Sequence, residues 1–250
     1  MIVTTNHGAV RELRLDRPPV NAISPELVTA LHEAVTRAPG EGARALVLSG
    51  SPGRFSGGLD VPILADFDRP AMEKLWQDFY RLLLALAASP IPIAAAITGH
   101  SPAGGAVLAT YCDYRIMADG ELKIGYNEVA VGIPMPIAIL KCVARLVGPR
   151  QAERLCGGGL LISPQEAQRI GLVDELVPLD RVVERAIEWA QGIITLPPNA
   201  MSKTRAAARE DLVRLMEEGL ATEGGLLVDN WFSDETQATL RAIVERMKKK

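Results

Sequence analysis

Val10, Leu13 and Leu15 place apolar side chains along a short segment behind His7-Gly8, a pattern that predicts an opening strand or hairpin turning at those two residues. The period then changes. Leu27, Val28, Leu31 and Val35 recur at helical spacing after Ser24-Pro25-Glu26, where Ser24 suits the cap and Pro25 the first helical position. Ala43 to Ser49 is mostly apolar and short enough for a buried strand, closed by Gly50-Ser51-Pro52-Gly53. Beyond it the pattern predicts a helix from Pro70 to Ala88, a strand from Ile91 to Thr98, a short helix of small residues from Gly104 to Tyr111, and a strand from Asp113 to Ala118. Ser163-Pro164-Gln165-Glu166 has the form of a capping box; its helix ends at Gly171, and Leu172 to Val177 reads as a returning strand. Strands and helices alternate, so the fold class is α/β with mostly parallel connections.

The alternation stops near Pro197-Pro198. Residues 1–196 read as the core and 197–250 as a helical region, because Leu212, Leu215 and Met216, then Leu226 and Leu227, then Leu240, Ile243, Val244 and Met247 carry helical signals only. A region of this size suits docking on a neighbouring subunit. Nearly half of the 250 residues are apolar, enough for a sizeable core, and aromatics are few, which predicts a core of Leu, Val, Ile and Ala. A net charge of −3 offers no electrostatic footprint for nucleic acid or an anionic membrane, and the Lys248-Lys249-Lys250 run reads as a solvated helix end. Cys112, Cys142 and Cys156 lack C-x-x-C spacing and predict buried free thiols in a reducing compartment. With no leader pattern and no stretch apolar enough to span a bilayer, the expectation is a soluble cytoplasmic protein.

Two glycine-rich turns carry the chemistry: Phe55-Ser56-Gly57-Gly58-Leu59-Asp60 and Ser101-Pro102-Ala103-Gly104-Gly105. Each is predicted to lead into a helix, where main-chain N–H groups are unpaired and the helix dipole favours negative charge. Two such turns facing one point would hold an oxygen that becomes anionic during reaction, and Glu128 would supply the base. His7, His32 and His100 are scattered and show no metal-ligand spacing, so no metal is expected.

These residues resemble the crotonase (enoyl-CoA hydratase/isomerase) superfamily, and within it the mitochondrial-type 3-enoyl-CoA to 2-enoyl-CoA isomerases. The stretches that carry the resemblance are Pro19-Val20-Asn21, Phe55 to Asp60, Pro102-Ala103-Gly104-Gly105 with Cys112-Asp113-Tyr114-Arg115 following, and Ile124-Gly125-Tyr126-Asn127-Glu128. The resemblance implies a spiral of repeated ββα turns with a C-terminal helical trimerisation region, giving a homotrimer or dimer of trimers. It implies a coenzyme A thioester as substrate and no separate cofactor. By position it assigns the catalytic glutamate to Glu128 and the oxyanion hole to the N–H groups of Leu59 and Gly104. Coenzyme A and substrate contacts fall at Val20, Ala22, Ser56, Gly57, Gly58, Leu59, Asp60, Gly104 and Asn127. Hydratases of the family carry a second glutamate where this chain has Val107. A valine carries no proton, so the resemblance implies double-bond isomerisation rather than two-glutamate hydration.

Some of these residues have plainer readings. Asp60, acidic at a helix start, suits capping at least as well as substrate contact. Asn127 is left open between orienting Glu128 and forming a turn. Lys203 reads as a solvated lysine in preference to a phosphate contact, and His100 and Tyr126 as structural. An apolar pocket is expected around Glu128 from Val107, Val129, Val131, Ile133 and Pro134, with the acyl chain shaped by residues between Met72 and Leu84 and between Met135 and Ile139.

Overall fold

The computed structural model describes residues 1–248. A hairpin of β1 (Ile2–His7) and β2 (Val10–Leu15) turns at Gly8, which sits at φ +67° as such a turn requires. Helix α1 (Pro25–Arg37) follows, with the Ser24 hydroxyl accepting from the Leu27 N–H. The chain then repeats one pattern. Strand β3 (Ala45–Ser49) is followed by the two-residue β4 (Gly53–Arg54) and helices α2 (Val61–Leu64) and α3 (Arg69–Ala88). Next come β5 (Ile93–Ile97), β6 (Gly99–Pro102) and α4 (Gly104–Thr110). Then follow β7 (Tyr114–Ala118), β8 (Ile124–Gly125), α5 (Ile137–Val147) and α6 (Pro149–Ala152). Strand β9 (Leu161–Ile162), α7 (Pro164–Arg169), β10 (Glu175–Val177) and α8 (Val182–Ile193) complete the core, and α9 (Pro198–Ala208), α10 (Glu210–Thr222), α11 (Gly224–Trp231) and α12 (Asp234–Lys248) end the chain. Lys249 and Lys250, part of the basic run, lie outside the described residues.

The β3–β4, β5–β6 and β7–β8 pairs each give one strand to a long sheet and one to a short sheet before the helices that follow. The long sheet runs β1-β2-β3-β5-β7-β10 and is parallel from β2 onward; the short one runs β4-β6-β8-β9. The spiral of ββα turns is therefore present as expected. Strands β3 and β5 are buried at every position because both faces of the long sheet are covered. Leu13, Leu46, Leu48, Ile93 and Ile97 face the main core with α1 and α3, while Ala45, Val47, Ala94, Ala96 and Ala118 face Val182, Ala186 and Ala190 of α8. Alanines on the α8 side let that helix approach closely. Aromatics are few, yet Trp231, Tyr80, Tyr111, Tyr126 and Phe55 are among the largest fully buried side chains, so they enter the core alongside the aliphatics. The three cysteines are free and buried. No helix among the described residues is long and apolar enough to cross a membrane.

Two local expectations differ. Only Glu175–Val177 forms the returning strand. Leu172 and Val173 are buried but follow Gly171, at φ +80°, in a turn. The capping box is half formed: Ser163 accepts from the Glu166 N–H, but the Glu166 carboxylate turns to Arg154 at 2.6 Å, a stronger charged partner than a main-chain amide.

The C-terminal helices pack onto the chain's own core through Leu212, Met216, Leu227, Val228, Trp231 and Leu240. Asp113 and Glu223 are among the polar links that fix them. Asp113 accepts from Arg205 (2.7 and 2.9 Å) and Arg209 (3.2 Å) while also capping the Ile93 N–H. Glu223, 7% exposed between α10 and α11, accepts from the Ile137 and Ala138 N–H groups at the start of α5 and from the Tyr80 hydroxyl. Glu223→Ala would strand all three donors in a dry site. It is expected to cost about 2–4 kcal/mol in urea unfolding, with Glu223→Gln, which keeps one acceptor oxygen, costing less.

Candidate active site

The short sheet brings the two glycine turns together. β4 pairs with β6 (Gly53 opposite Gly99), and β6 pairs with β8 (Ser101 opposite Ile124, Pro102 opposite Gly125). This ladder sets the first turn, the second turn and the loop carrying Glu128 side by side. A Cβ built on Gly58 would lie 3.3 Å from the Gly104 nitrogen, and one on Gly104 would lie 3.4 Å from Gly58 Cα, so the turns are in van der Waals contact through their glycines.

The first turn is held against residues 20–23. Gly57 N–H donates to Val20 O, Ile23 N–H to Gly58 O, and Asp60 N–H to Ile23 O. Leu59 N–H lies between two pinned neighbours, and among the described residues it has no acceptor. The helix after this turn, α2, is a single four-residue turn, with the Asp60 carboxylate accepting from Ile63 N–H. That same carboxylate pairs with Arg17 at 2.5 Å. Asp60 thus caps α2 and holds Arg17. Ser56 is fully buried, its hydroxyl donating to Asn21 O and accepting from Gly58 N–H, so its side chain is internal to the turn.

At the second turn, Ala103 adopts φ +46° and ψ −121°, a region that costs a residue with a Cβ of order 1–3 kcal/mol. This bend takes the chain from β6 into α4, leaving the Gly104 N–H at the first helical position without an acceptor among the described residues. Gly105 packs against Ser56, where a Cβ would come within 2.7 Å of the Ser56 carbonyl oxygen.

Glu128 follows β8 and opens a 3-10 turn, Val129–Val131, whose amides fold back on Asn127 O and Glu128 O. Tyr126, fully buried, anchors this loop through a 2.6 Å hydroxyl pair with Thr110, the structural role expected of it. His100 is likewise structural, accepting from Lys123 N–H at 3.2 Å. Lys203 is exposed on α9.

The turns and Glu128 share one cavity of about 120 Å3. Gly57, Leu59, Ala103, Gly104, Asn127 and Glu128 line it together with Val61, Trp76, Phe79, Val107, Val131, Ile133, Pro136 and Ile139. Glu128 as a residue is partly exposed, but its Oε2 is sealed from water and has no partner among the described residues. Burial pushes its carboxyl up to about 7, opposed weakly by its own main-chain N–H. The Asn127 Oδ1 and the Trp76 Nε1 are also buried and unpartnered. A cavity bordered by buried polar atoms without protein partners suits a ligand that supplies them.

Of the expected pocket residues, Val107, Val131 and Ile133 line the cavity, whereas Val129, in the 3-10 turn, and Pro134, beyond it, are exposed and do not. Trp76, Phe79, Pro136 and Ile139 fall within the two spans expected to shape the pocket. Ala103 comes from the second glycine turn, whereas Val61 was not foreseen; it lies between the capping Asp60 and Pro62, local signs that it starts a helix at the cavity wall. Val20 and Ala22 are half-buried beside the first turn, and Asn127 does not bond Glu128 through its Oδ1.

Comparison with known proteins places the chain in a family. The enoyl-CoA hydratase/isomerase family model matches residues 5–250. The chain is 31% identical to mitochondrial enoyl-CoA delta isomerase 1 of Mus musculus over 257 aligned residues, covering 100% of this chain and 88% of that one. It is 30% identical to the probable enoyl-CoA hydratase EchA17 of Mycobacterium bovis, over 84% of this chain and 81% of the relative. The solved structure of human mitochondrial delta3-delta2-enoyl-CoA isomerase superposes with a TM-score of 0.93 at 31% identity, covering 99% of this chain and 98% of the other.

Proposed function

This chain belongs to the enoyl-CoA hydratase/isomerase family, and from that premise we propose that it is an enoyl-CoA isomerase moving a 3-enoyl-CoA double bond to the 2-position. One observation carries the reading. The desolvated carboxyl of Glu128 and the unpaired amides of Leu59 and Gly104 border the same largely apolar cavity, with Val107 as its neighbour.

In a 3-enoyl thioester the C2 protons lie between a carbonyl and an alkene, so removal of one gives a delocalised dienolate. Glu128 takes that proton. The charge that develops on the thioester oxygen is met by the Leu59 and Gly104 N–H groups. They are already in place, and each contributes about 3–4 kcal/mol by comparison with other oxyanion holes. Glu128 then returns the proton at C4. One carboxyl can serve both carbons because they lie on one face of a short planar unit. The coenzyme A portion rests along Val20, Ala22 and the first glycine turn. A homotrimer or dimer of trimers is the accompanying assembly, checked by light scattering.

The direct test is to incubate the protein with a 3-enoyl-CoA and follow the conjugated 2-enoyl thioester by absorbance; no conversion across a panel of chain lengths would sink the reading. Since Glu128 must be ionised to act as base and its carboxyl sits near 7, kcat/KM is expected to rise with pH through about 7 and level off above it. A profile flat from pH 5.5 to 8.5 would contradict the assignment. A second reading, hydration with Glu128 and a positioned water, draws on the hydratase relatives. Abundant 3-hydroxyacyl-CoA from a 2-enoyl-CoA would favour it. A third, an acyl-CoA-binding protein without catalysis, would be removed by turnover on any thioester.

A further inference from the structure

We infer that Asn21 is a positioning residue for the oxyanion hole: its side chain fixes the main chain that presents the Leu59 N–H. The inference rests on the enolate chemistry proposed above and adds a residue outside the cavity lining.

Asn21 is 1% exposed and sits at φ +51°, in the left-handed region that Asn tolerates better than most residues. Its amide nitrogen donates to two consecutive carbonyls where β4 enters the first turn, Arg54 O at 3.2 Å and Phe55 O at 3.1 Å. Its Oδ1 accepts from Arg17 N–H at 2.9 Å, and its main-chain N–H donates to Arg17 O at 2.8 Å. Its carbonyl accepts from the Ser56 hydroxyl at 2.8 Å, and that hydroxyl accepts from Gly58 N–H at 3.3 Å. Asn21 therefore grips residues 54–56 directly and residue 58 through Ser56. Val20 and Ile23, on either side of it, hold Gly57, Gly58 and Asp60. With its neighbours tied, Leu59 N–H is left pointing away from this lacing and without an acceptor.

The residue type is demanded by chemistry. The position needs a left-handed backbone, two donors for adjacent carbonyls and one acceptor, all out of water. Glycine satisfies the first alone. Aspartate has the acceptor but aims negative charge at two carbonyl oxygens. Glutamine is a methylene too long for a site this tightly enclosed. Glu128 lies on a different loop, so loosening Asn21 disturbs one oxyanion donor and leaves the base in place.

The test uses Asn21→Gly, which keeps the backbone conformation accessible, and Asn21→Asp. Each is assayed for turnover and for the isotope-edited infrared stretch of the thioester carbonyl in a bound 2-enoyl-CoA. A misplaced oxyanion donor lowers kcat by about 10–100-fold. The expected result is that loss in both variants, KM within about threefold of wild type, a carbonyl band moved back toward its free position, and an unchanged midpoint in the pH–rate profile. Should either variant fail to fold by circular dichroism, Ser56→Ala, which removes the hydroxyl that links Asn21 O to Gly58 N–H, is read the same way with a smaller carbonyl change. A wild-type carbonyl shift that persists in the folded variants overturns the inference and leaves the isomerase reading standing. A wild-type protein that neither shifts the carbonyl nor turns over 3-enoyl-CoA overturns both.

Discussion

Glu128→Gln is expected to lower 3-enoyl-CoA turnover by about 10^3–10^4-fold while coenzyme A thioesters still bind, because the amide fills the same space but accepts no proton. In the proposed mechanism the same residue performs both proton transfers, so no second group stands ready to substitute; Val107, 2% exposed on the cavity wall, carries none. Turnover would be followed by conjugated-thioester absorbance and binding by calorimetry. A variant at full rate would remove Glu128 from the mechanism. The substitution should also alter stability. Burial raises the Glu128 carboxyl from 4.5 to about 7, so between those values the folded chain holds a proton that the unfolded chain releases. That contribution is complete below about 4.5 and is lost as pH rises through about 7. Glu128→Gln removes the dependence. In urea unfolding it is expected to match wild type near pH 5 and to exceed it near pH 8.5 by on the order of 1–3 kcal/mol. Equal stability at both pH values would mean that the carboxylate is not desolvated. On the proposed reading, the same desolvation that keeps this base reactive makes its ionised form destabilise the fold.

Gly99→Ala is expected to be the most damaging single methyl group in the chain. A Cβ there would sit 1.9 Å from the Gly53 carbonyl carbon, 2.2 Å from its oxygen and 2.3 Å from the Arg54 nitrogen. All three are main-chain atoms of the paired strand β4, so no side chain can swing aside, and β4 must separate from β6. That pairing places the first glycine turn against the second. The expected outcome is a stability loss above about 3 kcal/mol and, in any folded fraction, loss of turnover. Gly192→Ala is the control. It lies exposed in the last turn of α8, meets nothing within 4 Å, and is expected to be neutral or stabilising by up to about 1 kcal/mol. Similar thermal melts and activities for the two variants would show that the β4–β6 contact does not hold the site together.

Much of this protein was legible residue by residue. The starts of α1 and α7 follow from Ser-Pro caps, the ends of β1 and α7 from glycines at positive φ, and the α/β alternation from runs of apolar residues, because these depend on interactions within a few residues of the chain. Glu128 and the two glycine turns were likewise marked by their own short motifs. Their meeting was another matter. It rests on β4 and β8, strands of two residues with no periodicity to read, and on β6 between them. The exposure of Val129 and Pro134, the grip of Asn21 on residues 54–56, the Arg17 pair on Asp60 and the cap that Glu223 gives α5 join positions far apart in sequence or depend on how a short loop lies in the fold. So does the raised pKa of Glu128, since desolvation belongs to the walls of a cavity and not to the carboxyl itself. Local sterics and capping are written along the chain, whereas pairing between distant segments and exclusion of water exist only once the chain has closed on itself.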